Sequence, residues 1–251
     1  MKKILLLVFV MSCAFHVYAR EIKICGIDWL PFSMSENNYI TKGISHDIYQ
    51  EAFRRMGNKI VFHKLPWPRC IDYVQQGKYM AISECYRPDL LINGKHPTGF
   101  FPQAVFVREN FPGNHFSWEL MKGKKIGMVR GYVFIGKIGK FKGWIRDYAV
   151  DEIMMTRKLK MGRYDYILHD VFAAQRVAEK VGVKIKMLEP VIQTYPTYLC
   201  FRESQAEILA QYDHTLDLMI NDGTFDVIFE KYLNKSYTKI KQLFNYDHFD
   251  P

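Results

Sequence analysis

Residues 70–84, CIDYVQQGKYMAISE, and residues 155–170, MTRKLKMGRYDYILHD, read the same way. Each is a helical stretch, then Gly-Lys-Tyr or Gly-Arg-Tyr, then a short apolar strand, then an acid. A helix delivering an apolar strand to a buried position is half of a βαβ unit. Working outward from the first copy, residues 22–28 form a strand and 46–56 a helix stopped by Gly57. Residues 59–65 form a second strand, Pro68 opens the next helix, Gly77 closes it, and 80–83 form a buried strand. Around the second copy, 125–129 form a strand with a turn at Gly131. Helix 151–161, strand 164–168, helix 171–181 and strand 183–188 follow. A further strand at 198–201 precedes helical residues 207–233, broken at Asp222-Gly223-Thr224, and the remainder to Pro251 is a polar, aromatic tail. The expected class is α/β, with two similar units, each a mainly parallel sheet flanked by helices.

The N-terminus carries an export pattern. Lys2 and Lys3 precede the apolar run Ile4–Val10, and Val17-Tyr18-Ala19 is a small-x-small cleavage site before Arg20. Cleavage after Ala19 is favoured; the alternative is lipidation of Cys13 in a loose lipobox, Val10-Met11-Ser12-Cys13. The run is too short to span a bilayer, and no second run approaches that length. Residues 1–19 are therefore assigned as a signal peptide and the product as periplasmic. The chain has 35 basic and 26 acidic residues, a net +9, and losing Lys2 and Lys3 leaves +7. The cations are scattered and not interleaved with stacking aromatics, so the surface is a solvated one and no nucleic-acid partner is expected.

Four cysteines follow the signal: Cys25, Cys70, Cys85 and Cys200. They allow three pairings into two bridges. Cys25 and Cys200 lie in apolar strand-like runs that suit buried thiols; Cys70 and Cys85 are the expected pair. The eight histidines form no HxH or HxxxH pair, and no nucleophile motif, phosphate loop or metal spacing is present. No metal or cofactor is expected.

Ligands of open parallel sheets bind beyond the carboxyl ends of the strands. Those ends carry Trp29, Glu84, Tyr86, Arg87, Gly131, Tyr132 and Asp170, with Trp67 as a further aromatic wall. An Arg grips a carboxylate, an Asp accepts from an ammonium, and aromatic faces hold an apolar or cationic side chain. The set suits a zwitterion.

Over nearly its whole length after the signal, the sequence resembles the periplasmic solute-binding proteins of the polar-amino-acid type, family 3, with a two-lobed type II fold. IKICGIDWLPF, GISHDIYQEAFRRMG, LPWPRCIDYVQQGKY and SECYRPDLL carry the likeness in the first half. MKGKKIGMVRGYVF, MGRYDYILHDVFAAQRVAE, YLCFRES and LDLMINDGTFDVIFEKYL carry it in the second. The resemblance implies lobes at 20–106 plus 201–251 and at 107–200, crossed near Ala104–Arg108 and Tyr195–Phe201. It implies that Arg87 binds a substrate carboxylate and Asp170 its amino group. Met80 stands where relatives often have Asp. The turn Gly131-Tyr132-Val133 lacks the hydroxyls that many relatives place there, which leaves more of the anion to Arg87. Trp67-Pro68-Arg69 is similar to a divergent branch of the family. The implied function is solute capture by a monomer through hinge closure, with delivery to an inner-membrane ABC permease. Two alternatives share the fold: a sensing module with a signalling partner, and a dehydratase using Glu84 and His169 as acid or base.

Overall fold

Strand β1 (Glu21–Gly26) runs parallel to β4 (Lys59–Lys64) and to β5 (Ala81–Cys85). The computed structural model describes residues 21–85, 91–132 and 134–243. The signal segment, Cys13, Tyr86, Arg87, Val133 and the end of the tail lie outside them. Helix α1 (Ile44–Arg55) joins β1 to β4. It buries Ile44, Ile48, Tyr49, Ala52 and Phe53, the i, i+4, i+5, i+8, i+9 stripe of a one-sided helix. Its start is pressed onto the preceding loop. Gly43 has φ 121°, and a Cβ there would lie 2.2 Å from the carbonyl oxygen of Phe32, so only glycine fits. Helix α2 (Trp67–Gln75) carries Pro68 in its first turn and returns the chain to β5, whose five residues are all buried, as both faces of a parallel strand require.

The second unit repeats this arrangement. Strand β8 (Lys125–Val129) is parallel to β9 (Ile145–Ala149) and to β10 (Tyr166–Asp170), with α4 (Glu152–Lys160) between the last two and α5 (Ala174–Val181) after β10. Two long antiparallel strands join the units, β7 (Gly99–Arg108) and β12 (Gln193–Phe201). They pair with each other from Gly99 to Gln103. Beyond that ladder β7 pairs with β10 and β12 with β5. The sheet order is β2-β3-β4-β1-β5-β12-β7-β10-β8-β9, with β2 (Met34–Glu36) and β3 (Tyr39–Lys42) forming an edge hairpin. The short strands β6 (Ile92–Asn93) and β11 (Ile185–Met187) flank β12 and β7.

The cores divide as the strands do. In the first unit α1, α6 (Ala206–Asn221) and α7 (Thr224–Leu233) bury Tyr49, Phe53, Tyr212 and Phe229 against Ile24, Phe100 and Phe201. In the second, one sheet face packs Met155, Leu159 and Ala174, the other Met121, Trp144 and Ile138 of α3 (Gly136–Lys140). The architecture is α/β with two lobes. Among the described residues no helix is long and apolar enough to cross a membrane.

Four expectations change. The disulfides join Cys25 to Cys70 and Cys85 to Cys200, with Cα separations of 5.8 and 5.9 Å. Cys70 and Cys85 are therefore not partners, and Cys25 and Cys200 are not free thiols. The physical reason is strand order. β5 lies between β1 and β12, with Ile82 registered to both Cys25 and Cys200. Cys70 on the covering helix meets the first of these, and Cys85 at the end of β5 meets the second. Strand β10 runs to Asp170 instead of ending at Leu168. Strand β12 begins at Gln193, five residues before the expected Tyr198, because it spans both lobes. The tail includes a helix, α8 (Tyr237–Leu243), with Tyr237 buried in the first core and its hydroxyl donating to Pro97 O at 3.1 Å.

Candidate functional site

The loop after β1 is folded on itself and against α1. Trp29 N donates to Ser33 O and receives, at its carbonyl, the N–H groups of Phe32 and Ser33. Ile44 N and Ser45 N donate to Pro31 O and Phe32 O. This fixes the Trp29 indole over Phe32 (centroids 4.5 Å) and edge-on to Phe101 of β7 (5.5 Å). Phe32 in turn meets Phe172, from the segment after β10, at 5.5 Å. The lobes thus touch through aromatic rings beside the crossing strands.

Asp170 ends β10, registered with Gln103 of β7. Its Oδ1 accepts from the backbone N–H groups of Phe172 (2.7 Å) and Ala173 (2.8 Å), which turns the chain into α5. Its Oδ2 is buried without a hydrogen bond. Burial pushes the carboxyl pKa up to about 8; Glu152 adds repulsion, while the two backbone N–H groups and the nearby Trp29 indole oppose the rise. The Trp29 Nε1 does not close a hydrogen bond and is itself buried and unpaired, so its influence is that of a neighbouring dipole.

A small pocket opens beside Asp170. Its polar lining among the described residues is Gln103, Tyr132, Glu152 and His169, and its apolar lining includes Phe101, Phe134 and Leu168. Gly131, with φ 84°, makes the turn after β8 that presents Tyr132, whose hydroxyl donates to Glu152 Oε1 at 3.0 Å. Glu152 is the first residue of α4, where a carboxylate suits the helix dipole. Both ring nitrogens of the buried His169, and Oε1 of the buried Gln103, have no partner. Burial lowers the His169 pKa, so the ring is neutral near pH 7.

Of the expected residues, the structure brings together Asp170, Tyr132 and Gly131, with Trp29 adjoining through Phe101. Trp67 packs against the Cys25 and Cys70 cluster, away from the pocket lining. Glu84 also lies outside that lining. It turns into the first lobe at φ 52°, its Oε1 accepting from Ser33 Oγ at 2.7 Å. Burial raises its pKa against three hydroxyls, those of Ser83, Ser33 and Ser45. Of the acid–base candidates, His169 lines this pocket and Glu84 does not. Gln103, Glu152, Phe101 and Phe172 were missed. A polar Gln inside the apolar run Gln103–Val107 was a usable signal; Glu152 read only as a helix-start acid.

No curated protein matches the sequence. Solved structures do match in fold. The probable amino-acid ABC transporter extracellular-binding protein ytmK from Bacillus subtilis superposes with a TM-score of 0.72 at 16% identity, over 86% of this chain and 98% of that one. The L-cystine solute receptor of Neisseria gonorrhoeae, unliganded and open, gives 0.63 at 15% identity over 86% and 93%. A histidine kinase sensor domain with similarity to periplasmic binding proteins gives 0.69 at 17% identity over 87% and 98%. At these identities the likeness is one of fold. The family model that describes bacterial extracellular solute-binding proteins, family 3, covers residues 23–235, and this chain belongs to that family.

Proposed function

We propose that this solute-binding protein acts in the periplasm, released there by cleavage after Ala19. It captures an amino acid or a related carboxylate between its lobes and hands it to an ABC-type permease. The observation that carries the reading is Asp170. One carboxylate oxygen is held by two backbone N–H groups, and the other is buried and unpaired beside a pocket at the lobe junction. A solute ammonium supplies the missing partner and favours the ionised carboxylate. Arg87 is assigned the solute carboxylate, and Trp29 and Tyr132 flank the solute. The lobes, 20–106 with 201–251 and 107–200, close about β7 and β12. Contacts made to both lobes favour the closed state, and only that difference in affinity drives closure.

The test is a thermal-shift screen of amino acids, amines and organic acids, followed by calorimetry on the compounds that bind. Compounds carrying both an amine and a carboxylate should bind. Asp170→Asn should weaken them at least about 30-fold, as loss of a charged hydrogen bond implies. Asn retains a carbonyl for Phe172 and Ala173, so the turn survives. Arg87→Ala leaving affinity unchanged would remove the assigned carboxylate anchor. A second reading, a sensing module for a signalling partner, draws on the histidine kinase sensor domain of the same fold. Isolation of a permease or of a kinase in complex with the solute-loaded protein separates the two.

A further inference from the structure

Scattered along the sequence, the second lobe's cations are gathered by its fold at one end. Strands β8, β9, β10 and β11 all run the same way, since the first three are parallel and both β10 and β11 are antiparallel to β7. The pocket lies at their carboxyl ends. Their amino ends, on the opposite side, are entered by ELMKGKK (119–125), KFKGWI (140–145), KMGRYD (160–165) and KVGVKI (180–185). These segments hold nine Lys and Arg residues against two acids, a net +7. All nine cations are exposed. Both acids are already engaged, Glu119 by Lys122 at 2.7 Å and Asp165 by Arg108. Asp147, inside β9, takes Lys125 at 3.0 Å. Glu109 and Glu179 flank the β11 side and pair with none of the nine. Among the described residues no acid pairs with Lys124, Lys142 or Lys184.

The four segments form one surface. Gly123 N donates to Gly143 O (2.7 Å), Ile145 N to Lys124 O (2.8 Å), Glu109 N to Lys184 O (3.0 Å) and Lys160 Nζ to Val181 O (3.0 Å). Across the order β11-β7-β10-β8-β9 the row covers four strand spacings, about 19 Å. Three large apolar side chains stand among the cations: Leu120, Ile145 and Met161, the last two 57% and 62% exposed. The first lobe is built on the same plan but lacks this feature. Its equivalent segments, residues 56–59 and 76–81, carry only two cations, Lys59 and Lys78.

The chemistry selects the partner. Eight of the nine cations are lysines, point charges on long stems without the planar fork that grips a single phosphate or carboxylate twice. They suit a field of mobile anions. A dissolved anion or an acidic polymer leaves Ile145 and Met161 in water. The surface of an anionic bilayer offers phosphates to the ammonium groups and the acyl boundary to the apolar side chains. We propose that the amino-end face of the second lobe docks on an anionic phospholipid bilayer, holding the protein at the membrane with its pocket turned away from the lipid. The inference does not depend on what the pocket binds.

The experiment is vesicle co-sedimentation of the full mature chain. One set of vesicles is phosphatidylcholine alone, the other equimolar phosphatidylcholine and phosphatidylglycerol. The chain should bind the second only, and less as salt rises and screens the charges. Lys124→Glu, Lys142→Glu and Lys184→Glu together should lower the partition at least about 100-fold, each lysine near an anionic surface contributing about fivefold. The same change in charge on exposed lysines of the first lobe, Lys23→Glu, Lys59→Glu and Lys239→Glu together, should lower it less than about 10-fold. Ile145→Ser with Met161→Ser leaves every charge in place and should still lower it about 10-fold. Melting curves check that each variant folds. Equal binding to the two vesicles, or equal losses from the two lysine triples, overturns the docking face. An unchanged partition in the Ile145→Ser, Met161→Ser variant shows a general polyanion surface and overturns the bilayer as its partner.

Discussion

At the level of single residues, the electrostatics of Asp170 set a pH dependence of definite sign. In the folded protein its pKa is about 8, against 3.8 for an ordinary Asp side chain. Between those values the folded chain holds a proton that the unfolded chain does not. Stability from this group is therefore lost as pH rises from about 4 to 8. The groups around it are the Glu152 carboxylate, the neutral His169, the Trp29 indole and the N–H groups of Phe172 and Ala173. Melting curves should show wild type losing stability across this window relative to Asp170→Asn. Binding runs the other way. An ammonium needs the ionised carboxylate, so affinity should fall with pH below about 8, by up to about tenfold per unit. Calorimetry in buffers of different ionisation enthalpy should show proton release on binding. Glycine at position 43 answers to sterics. Gly43→Ala meets both a backbone oxygen at 2.2 Å and a φ of 121°, and should cost on the order of 2–3 kcal/mol in chemical denaturation.

For the elements, the disulfides and the edge strands mark where sequence reasoning stopped. The parallel strands β1, β4, β5, β8 and β10 were legible because their apolar runs alternate with one-sided helices. The hairpin β2–β3 was not, although Asn37 and Asn38, both at positive φ, are turn residues of the kind that close tight hairpins. Strand β9 escaped because it is a sheet edge with a mostly exposed face, so IRDYA shows no apolar period. The disulfide pairing depends on which strand neighbours which, and neither spacing nor local pattern carries that information. Replacing Cys25 and Cys70 together by Ala, or Cys85 and Cys200 together, should lower stability by about 2–4 kcal/mol. The closed loops have sequence separations of 45 and 115 residues, and loop-closure entropy grows only with the logarithm of length. The two losses should therefore differ by about 1 kcal/mol or less. The site was legible in part. Asp170, Gly131 and Tyr132 follow from the strand-end rule, whereas Gln103 faces the pocket only because β7 crosses between lobes beside β10.

For the whole molecule, closure is the property to measure. The lobes are joined by β7 and β12 and touch through Phe32 and Phe172. Small-angle scattering should show the radius of gyration falling when a binding solute is added. Phe172→Ala removes a ring that packs on the first lobe's core. It should weaken solute affinity several-fold while leaving the melting of the second lobe's own core unchanged, a difference that tryptophan fluorescence from Trp118 and Trp144 can follow.

The order in which the chain emerges, N-terminus first, bears on how it becomes a folded object. The second lobe's cores draw on one continuous stretch, from Ala104 to Ile192. The first lobe's core needs Ile22 to Phe100 from the leading end and Leu199 to Ile240 from the trailing end. During vectorial emergence the second lobe has all its parts while the first is still an unclosed half-sheet, with Cys85 lacking its partner. Tyr237, which buries its ring in that core and donates to Pro97, is among the last described residues to arrive. The lobe that begins the sequence is thus the one finished last, and the last described helix is the latch that shuts it.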